Sequence, residues 1–306
     1  MASTIIRTSD RQPTRNGALR DYVQLTKPKI VTLLVFTTVT AMVVAAQGEP
    51  MPTLKLIATI IGGALAAGGA SALNQWYDRD MDALMARTRH RPIPAGRIRP
   101  RNAFLFGLGL LAWSAFILLA FVNPLTTGLA MFGAFYYVVG YTMLLKRNTV
   151  LNILIGGGAG AFPVLVGWAA IANVIAPQAL LLFAIVFFWT PPHSWALALL
   201  VNKDYTHANV PMYPVAHGEQ AARIQILLYS IQLVVLSILP IPFRMSGGFY
   251  LITALALDSG LIIAAIRLLQ DPSGAQARST YKYTTLYLTL LFLVMIIDQY
   301  VRLPIR

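Results

Sequence analysis

The feature that most constrains this chain is a series of long apolar segments that alternate with short polar connectors. A helix of about 20 residues crosses the hydrocarbon core of a bilayer, and a backbone in lipid must satisfy its own hydrogen bonds. The residue alternation of a membrane β-barrel is not found in the sequence. The pattern therefore predicts an all-α, polytopic protein of the lipid bilayer with nine transmembrane helices. The predicted spans are residues 28–46, 54–74, 103–121, 125–145, 153–172, 178–201, 221–243, 247–269 and 283–301.

Composition and charge support this class. Hydrophobic residues make up 57% of the chain and charged residues 11%, and the mean hydropathy of +0.65 lies outside the soluble range. If the N-terminus is cytoplasmic, 20 of the 24 lysines and arginines fall on the cytoplasmic side. This positive-inside bias accounts for the net charge of +13 without a nucleic-acid partner and predicts a bacterial cytoplasmic (inner) membrane protein. The absence of cysteine excludes disulfides and thiol catalysis.

The chain is predicted to have one membrane domain. Residues 1–27 form a polar, basic cytoplasmic tail without the early apolar segment of a cleavable signal peptide. Residues 28–306 form a single transmembrane domain, because no hydrophilic linker is long enough to separate two. The connectors after the second, fourth, sixth and eighth spans are longer or richer in polar groups than the others, so function is expected at the cytoplasmic mouth.

The second span ends in an acidic motif. Asn74, Asp78 and Asp82 are four residues apart and would share one helix face, whereas Asp80 would point roughly the other way. Such a row of oxygen atoms suits Mg²⁺, which usually takes one or two carboxylates together with water and phosphate oxygens. The structural alternative is a hydrated helix end whose acids pair with nearby arginines.

Basic residues converge on the same mouth and suggest a polyanion. Arg87, Arg89, Arg91 and Arg97 follow the acids, Lys146 and Arg147 follow the fourth span, and Lys203 and Asp204 follow the sixth. An acid cluster beside guanidinium and ammonium groups over an apolar bundle suits a diphosphate with a hydrocarbon tail. If diphosphate departed from an allylic carbon, an aromatic face such as that of Tyr141 could stabilise the carbocation. Interfacial tyrosines are also common in membrane proteins for other reasons.

Several segments resemble one known family. NQWYDRDMDALMARTRHRPIPAG at 74–96 is similar to the first acidic motif of the UbiA-type intramembrane prenyltransferases, and in particular of the branch that acts on heme. The resemblance continues in order through YVQLTKPKI at 22–30, LKRNTVLNILIGGGAGAFPVLVGW at 145–168, WTPPHSWALAL at 189–199, DYTHANVPMYPV at 204–215 and RSTYKYTTLYL at 278–288.

The resemblance implies nine helices around a central cavity open to the cytoplasmic side and the membrane. It also implies transfer of the farnesyl group of farnesyl diphosphate to a vinyl group of heme B, with water completing the product. A quinone precursor or a chlorin is the alternative acceptor. A transporter or cation channel is disfavoured, because the acids lie at span ends, apart from Asp258 and Asp298.

The resemblance assigns roles to particular residues. The expected metal ligands are Asn74, Asp78, Asp82 and Asp204; the expected catalytic residues are Asp78, Asp82, Asp204 and Lys203; and the expected substrate-binding residues are Asn74, Arg87, Arg91, Tyr141, Lys146, Arg147, Asn152, His193 and Tyr205. Ala208 stands where other members carry the last acid of a second DxxxD motif, which places a second Mg²⁺ in doubt. A downstream enzyme that forms heme A is a possible partner.

Two features of the resembling segments have a structural alternative. His193 in the sixth span is a candidate heme contact, although a lone buried histidine is more often hydrogen-bonded structure. Gly156, Gly157 and Gly158 are expected to allow close helix approach rather than to bind phosphate, because no P-loop lysine follows them.

Overall fold

The computed structural model describes residues 15–301, so most of the predicted basic tail, including Arg7 and Arg11, lies outside the described residues. The described part contains helices and no strand. Within residues 15–301, nine helices are long and apolar enough to cross a membrane, as predicted. These spans, numbered first to ninth, are Pro28–Ala46, Thr53–Tyr77, Pro100–Phe121, Pro124–Leu145, Asn152–Ala172, Pro177–Leu200, Glu219–Ile238, Gly248–Gln270 and Gly274–Val301.

Short helices join the spans at one end of the bundle, which we call the mouth face. Here the second, fourth and sixth spans end and their connectors meet. The short helices are Arg15–Leu25 before the first span, Arg79–Leu84 after the second, and Asn202–His207 and Tyr213–His217 after the sixth.

Two span boundaries differ from the predicted ones. The seventh span ends at Ile238 rather than at residue 243, because Pro240 and Pro242 cannot donate the backbone hydrogen bonds that would continue the helix. The ninth span begins at Gly274 rather than at residue 283. Its first turns are polar, and a helix of 28 residues is longer than a bilayer crossing requires, so these turns extend beyond the apolar segment.

The fourth span is not a regular α-helix throughout. Pro124–Phe135 is α-helical, and the remaining ten residues, Tyr136–Leu145, form a π-helix. A π-helix of this length is rare, and π-helical turns are frequent at functional sites. The hydrophobic pattern of the sequence does not distinguish the two helix types.

The bundle is packed around two apolar clusters. The larger one, the membrane core, contains Trp168, Trp189, Tyr250 and Phe292 and joins the fifth, sixth, eighth and ninth spans. The first and fifth spans touch so closely that a Cβ atom on Gly167 would lie 2.1 Å from the carbonyl oxygen of Thr38. The second cluster, which we call the mouth cluster, brings the connectors after the second and sixth spans together. Its members include Met81, Met85, Trp195, Tyr205 and Met212.

Candidate active site

The acidic motif lies at the mouth end of the second span. The span ends at Tyr77 and the Arg79–Leu84 helix follows at once, with backbone hydrogen bonds from Asp78 N to Asn74 O and from Asp82 N to Asp78 O. Asn74, Asp78 and Asp82 are 2%, 0% and 1% exposed, whereas the Asp80 side chain is 64% exposed. The predicted common face is confirmed, and Asp80 points away from it.

The Asp78 carboxylate is neutralised by the connector that follows the fourth span. Lys146 Nζ donates to Asp78 Oδ2, and Arg147 Nη2 lies 3.4 Å from Asp78 Oδ1. Arg147 also forms a fork with both oxygens of Asp80, at 2.7 and 2.8 Å. This bonding by Arg147 lowers the pKa of Asp80 to about 2 and raises the pKa of Arg147 in return. Two of the predicted diphosphate-binding cations therefore lie against the predicted metal-binding acid.

The arginines after the motif have different partners. Arg91 Nη1 lies 2.7 Å from Asp82 Oδ2 and neutralises that buried carboxylate. Arg97 instead pairs with Asp21 of the helix Arg15–Leu25, at 2.9 Å, and Arg89 is exposed. Only Arg91 of these three contacts the motif.

The mouth also contains a lysine to which the sequence analysis gave no role. Lys27 Nζ donates to Asn74 Oδ1 at 2.9 Å, and its backbone is left-handed (φ 51°, ψ 61°) immediately before Pro28. A non-glycine residue in this conformation is strained, and such strain is common at functional sites. Ser71 and Gln75 hold the turn in place by donating to the carbonyl oxygen of Leu25.

Burial, together with the nearby charges of Arg91 and Lys146, lowers the pKa of Lys27 to about 7, while Asp82 and Asp78 oppose the shift. Lys27 thus joins Lys146, Arg147 and Arg91 as the fourth basic side chain around the two buried acids. The only sequence signal for it was the TKP segment of the family resemblance.

The π-helix supplies the opposite wall of the motif. Asn74 Nδ2 donates to Asp78 Oδ2 at 2.8 Å and to Thr142 Oγ1 at 3.1 Å. Thr142 Oγ1 in turn donates to the carbonyl oxygen of Tyr137, five residues earlier. The π-helical winding therefore holds Thr142 against the motif.

The same π-helix carries a pair of stacked tyrosines. The rings of Tyr137 and Tyr141 are 5.8 Å apart and inclined by 23°. A Cβ atom on Gly156 would lie 2.2 Å from the Tyr141 ring, so the glycine allows the ring to pack at this place. The prediction that this glycine serves close packing is confirmed.

The connector after the sixth span reaches the acidic connector through Asp204. Asp204 Oδ2 lies 3.4 Å from the backbone N of Arg87, and Tyr205 is buried in the mouth cluster. Burial raises the pKa of Tyr205, and the nearby charges of Arg87 and Arg91 oppose that shift. Lys203 is exposed and has no hydrogen bond or ion pair within residues 15–301.

Asn152 ties two connectors together beneath the mouth. It is fully buried, and its Nδ2 lies 3.3 Å from the carbonyl oxygens of both Lys146 and Pro211. Within residues 15–301, its Oδ1 has no hydrogen-bond partner. Because the amide nitrogen faces two acceptors, the orientation of this amide is determined by the structure.

The donor chemistry of the mouth fits Mg²⁺. Asp78 and Asp82 offer hard carboxylate oxygens on successive helical turns, and Mg²⁺ needs only one or two carboxylates when phosphate and water complete its shell. Within the described residues, no set of three or more His, Asp or Glu side chains is arranged to hold a metal ion. The predicted set with Asp204 as a further ligand therefore remains a prediction, and Asn74 Oδ1 is bonded to Lys27.

Two predicted features lie apart from these contacts. His193 is about 10 Å inside the mouth end of the sixth span and stacks on Trp189. The predicted cavity at the mouth also remains a prediction. An open pocket lies at the opposite end of the bundle, between Met51 and Tyr300, and contains no predicted site residue.

Sequence comparison identifies the class of protein. Residues 34–295 match the UbiA prenyltransferase family, and the chain belongs to this family. A protein of Gloeobacter violaceus named protoheme IX farnesyltransferase is 47% identical over 301 residues, which is 98% of each chain. A protein of the same name from Roseiflexus castenholzii is 50% identical over 283 residues, or 92% of this chain and 52% of the relative. The chain thus spans about half the length of some of its relatives and nearly the whole length of others.

Structural comparison gives the same fold. A digeranylgeranylglyceryl phosphate synthase has a TM-score of 0.77 at 20% identity and covers 94% of this chain and 99% of its own. A UbiA homolog from Archaeoglobus fulgidus, solved with DMAPP and Mg²⁺ bound, has a TM-score of 0.63 at 17% identity, over 90% of this chain and 99% of its own. These likenesses confirm the predicted all-α membrane fold.

Proposed function

We propose that this protein transfers the farnesyl group of farnesyl diphosphate to a vinyl group of heme B and so forms heme O. The observation that carries the proposal is the mouth itself. Two fully buried carboxylates on one helix face are surrounded by Lys27, Lys146 and Arg91, contributed by three separate segments of the chain. The choice of heme as acceptor is supported by relatives of 46–50% identity that are named protoheme IX farnesyltransferase.

The ion pairs of the mouth have a direct chemical use. In the structure the cations neutralise the acids, which balances the buried charge. A diphosphate would take over Lys146, Arg147, Arg91 and Lys27, and the released carboxylates of Asp78 and Asp82 would hold Mg²⁺. Bound Mg²⁺ supplies neutralisation of the diphosphate charge as the leaving group departs. The same charged side chains would therefore be paired both without substrate and with diphosphate and Mg²⁺ bound.

Each remaining polar residue has a supporting role in this scheme. Thr142 and Lys27 hold the Asn74 amide from both sides and so orient Asp78. Asn152 fixes the carbonyl of Lys146 and with it the start of the cationic connector. Asp204, Arg87 and Tyr205 join the connector after the sixth span to the connector after the second span, and Lys203 is free to turn toward the diphosphate.

The stacked rings of Tyr137 and Tyr141 would act in the next step, the formation of the carbocation. When the C1–O bond of the allylic substrate breaks, positive charge develops on the isoprenoid. An aromatic face stabilises a cation by about 0.5–2 kcal/mol, and Tyr137 and Tyr141 supply two such rings. The vinyl π electrons of heme then form the new bond to C1.

The proposed function also implies a location and an orientation in the membrane. We place residues 28–306 in a bacterial inner membrane as one domain, with the mouth and the N-terminal tail in the cytoplasm. An apolar bundle below a charged mouth receives a substrate with a polar head and a long hydrocarbon tail. A downstream enzyme that forms heme A would be the partner that consumes the product.

The test is a product assay with competing acceptors. The purified full chain in lipid nanodiscs is given Mg²⁺ and farnesyl diphosphate together with heme B, a quinone precursor and a chlorin, and the products are identified by mass spectrometry. We expect farnesylated, hydrated heme as the main product. Prenylation of the quinone precursor or the chlorin in preference to heme would overturn the choice of acceptor. Activity without Mg²⁺ would overturn the proposed metal dependence.

A further inference from the structure

His193 is a partly buried ionisable group for which the reaction described so far has no use. It lies within the sixth span, where an ionisable side chain is costly and usually functional. Its imidazole is sandwiched between Trp189, at 4.4 Å and 20°, and Tyr281 of the ninth span, at 4.7 Å and 30°. The two aromatic rings hold the plane of the imidazole in place.

The hydrogen bonds of Thr284 determine which imidazole nitrogen carries the proton. His193 Nδ1 lies 3.0 Å from Thr284 Oγ1. That hydroxyl has one proton, and it donates to the carbonyl oxygen of Tyr281 at 2.8 Å. Thr284 therefore accepts from Nδ1–H, and the neutral ring has its lone pair on Nε2. Within residues 15–301, no group forms a hydrogen bond with Nε2.

His193 lies between the two apolar clusters of the bundle. Tyr281 packs against the mouth cluster, which contains Met81 and Met85 of the connector after the second span and Tyr205 of the connector after the sixth span. Trp189, on the other face of the imidazole, belongs to the membrane core. His193 therefore lies between the membrane core and the mouth cluster, about 10 Å from the mouth end of the sixth span.

We propose that His193 Nε2 accepts the proton of the water molecule that completes the product. This inference rests on the proposed heme farnesyltransferase function. The C1–O bond breaks with its electron pair on the diphosphate, and the vinyl π pair forms the C–C bond to C1. The cation then lies on the vinyl carbon attached to the porphyrin. A lone pair of water forms the C–O bond, and one water proton passes to Nε2.

The surroundings suit this role. An imidazole base is uncharged before the step and must be tolerated as a cation after it, and the faces of Trp189 and Tyr281 stabilise an imidazolium. The competing fate of the substrate cation is loss of a proton from the adjacent CH₂ group, which leaves an alkene in place of the alcohol. The ratio of alcohol to alkene therefore reports on the base directly.

The decisive experiment is the product ratio of His193→Gln in nanodiscs with heme B, farnesyl diphosphate and Mg²⁺. We expect formation of the hydroxylated product to fall by about 100-fold or more. Release of diphosphate continues within a few-fold, and the main product becomes a farnesylated heme that is lighter by one water. A wild-type yield of alcohol would overturn the proposal, and so would a folded variant that releases no diphosphate.

Two variants of Thr284 keep the histidine and test the tautomer. Thr284→Val removes the acceptor of Nδ1–H and should raise the share of alkene, whereas Thr284→Ser keeps the hydroxyl and should retain the wild-type ratio. If both variants retained that ratio, the assignment of the base would be wrong. This pair also decides the matter if His193→Gln fails to fold. A wild-type chain that forms no heme product would instead refute the proposed function.

Discussion

The acids at the mouth and the acids in the eighth and ninth spans are buried to the same degree but have different kinds of partner. Asp78 and Asp82 pair with lysine and arginine side chains. Asp258, 3% exposed, accepts from the hydroxyls of Tyr287 at 2.7 Å and Ser237 at 2.8 Å. Asp298 accepts from backbone N–H groups at the start of the eighth span, among them that of Tyr250 at 3.0 Å.

This difference separates function from structure. A long cationic side chain can leave a carboxylate and bind a phosphate group, so the mouth acids can exchange partners when a substrate arrives. The hydroxyl and backbone donors around Asp258 and Asp298 are uncharged groups of packed helices. We therefore interpret the mouth acids as the chemical site and the other two as polar links between the seventh, eighth and ninth spans.

The largest effect is expected from Asp78→Asn, which removes a mouth charge and preserves shape. Farnesyl transfer to heme should fall by about 100-fold or more, because the electrostatic stabilisation of a departing group is usually the largest catalytic contribution. Initial rates in nanodiscs measure the effect, and the melting temperature shows whether the fold is retained. Asp258→Asn is the matched control and should keep its rate. Activity of Asp78→Asn within threefold of wild type would contradict the assignment of Asp78 to the active site.

Asp258→Ala should act on stability instead. It leaves the hydroxyls of Tyr287 and Ser237 without a buried acceptor, so the free energy of unfolding should fall by about 2 kcal/mol. Denaturant titration in detergent would show this, while the rate per folded molecule stays within about twofold of wild type. Asp258→Asn, which retains one acceptor oxygen, should lose less. A large loss of rate at unchanged stability would show that Asp258 takes part in the reaction.

Lys27→Ala should weaken the binding of the diphosphate substrate. We expect KM for farnesyl diphosphate to rise about tenfold, about 1.4 kcal/mol, with a smaller change in kcat, because Lys27 contributes one of several cations. Steady-state kinetics with varied farnesyl diphosphate measures this. Lys27→Arg keeps the charge and should recover most of the affinity. Equal KM values for Lys27→Ala and wild type would show that Lys27 does not contribute to substrate binding.

The smallest effect is expected from Asp80→Asn in the same motif. The Asp80 side chain is 64% exposed, and its pair with Arg147 is a surface salt bridge that contributes about 0–1 kcal/mol. Arg147 retains Asp78 as a partner, so the rate should stay within about twofold of wild type. The same kinetic assay, run beside Asp78→Asn, compares an exposed and a buried acid two residues apart.

Much of the fold was predictable because its signals are local. Each span is a continuous apolar run of membrane length, and the spacing of Asn74, Asp78 and Asp82 places them on one helix face wherever that helix lies. The boundaries were less certain at the seventh and ninth spans, where prolines and polar helical turns determine the ends. The π-helix of the fourth span could not be predicted, since its hydrophobic pattern suits either winding.

The pairing of charges was not predictable, because the partners are far apart in the chain. Lys146 and Asp78 are separated by 68 residues, and Lys27 and Asn74 by 47. The sequence showed an excess of basic residues near the motif but not that Arg97 pairs with Asp21 while Arg91 pairs with Asp82. The left-handed turn that aims Lys27 is stabilised by contacts with the second span, which no local pattern records.

By itself, the sequence determined the membrane class, the number of spans, the acidic motif and its common face, since hydropathy and helical period act between neighbours in the chain. Only the tertiary structure decided which cation neutralises which acid, where Lys27 lies, and which nitrogen of His193 keeps its proton. Those outcomes depend on directional contacts between helices that are distant in sequence, and such contacts form only when the whole bundle is packed.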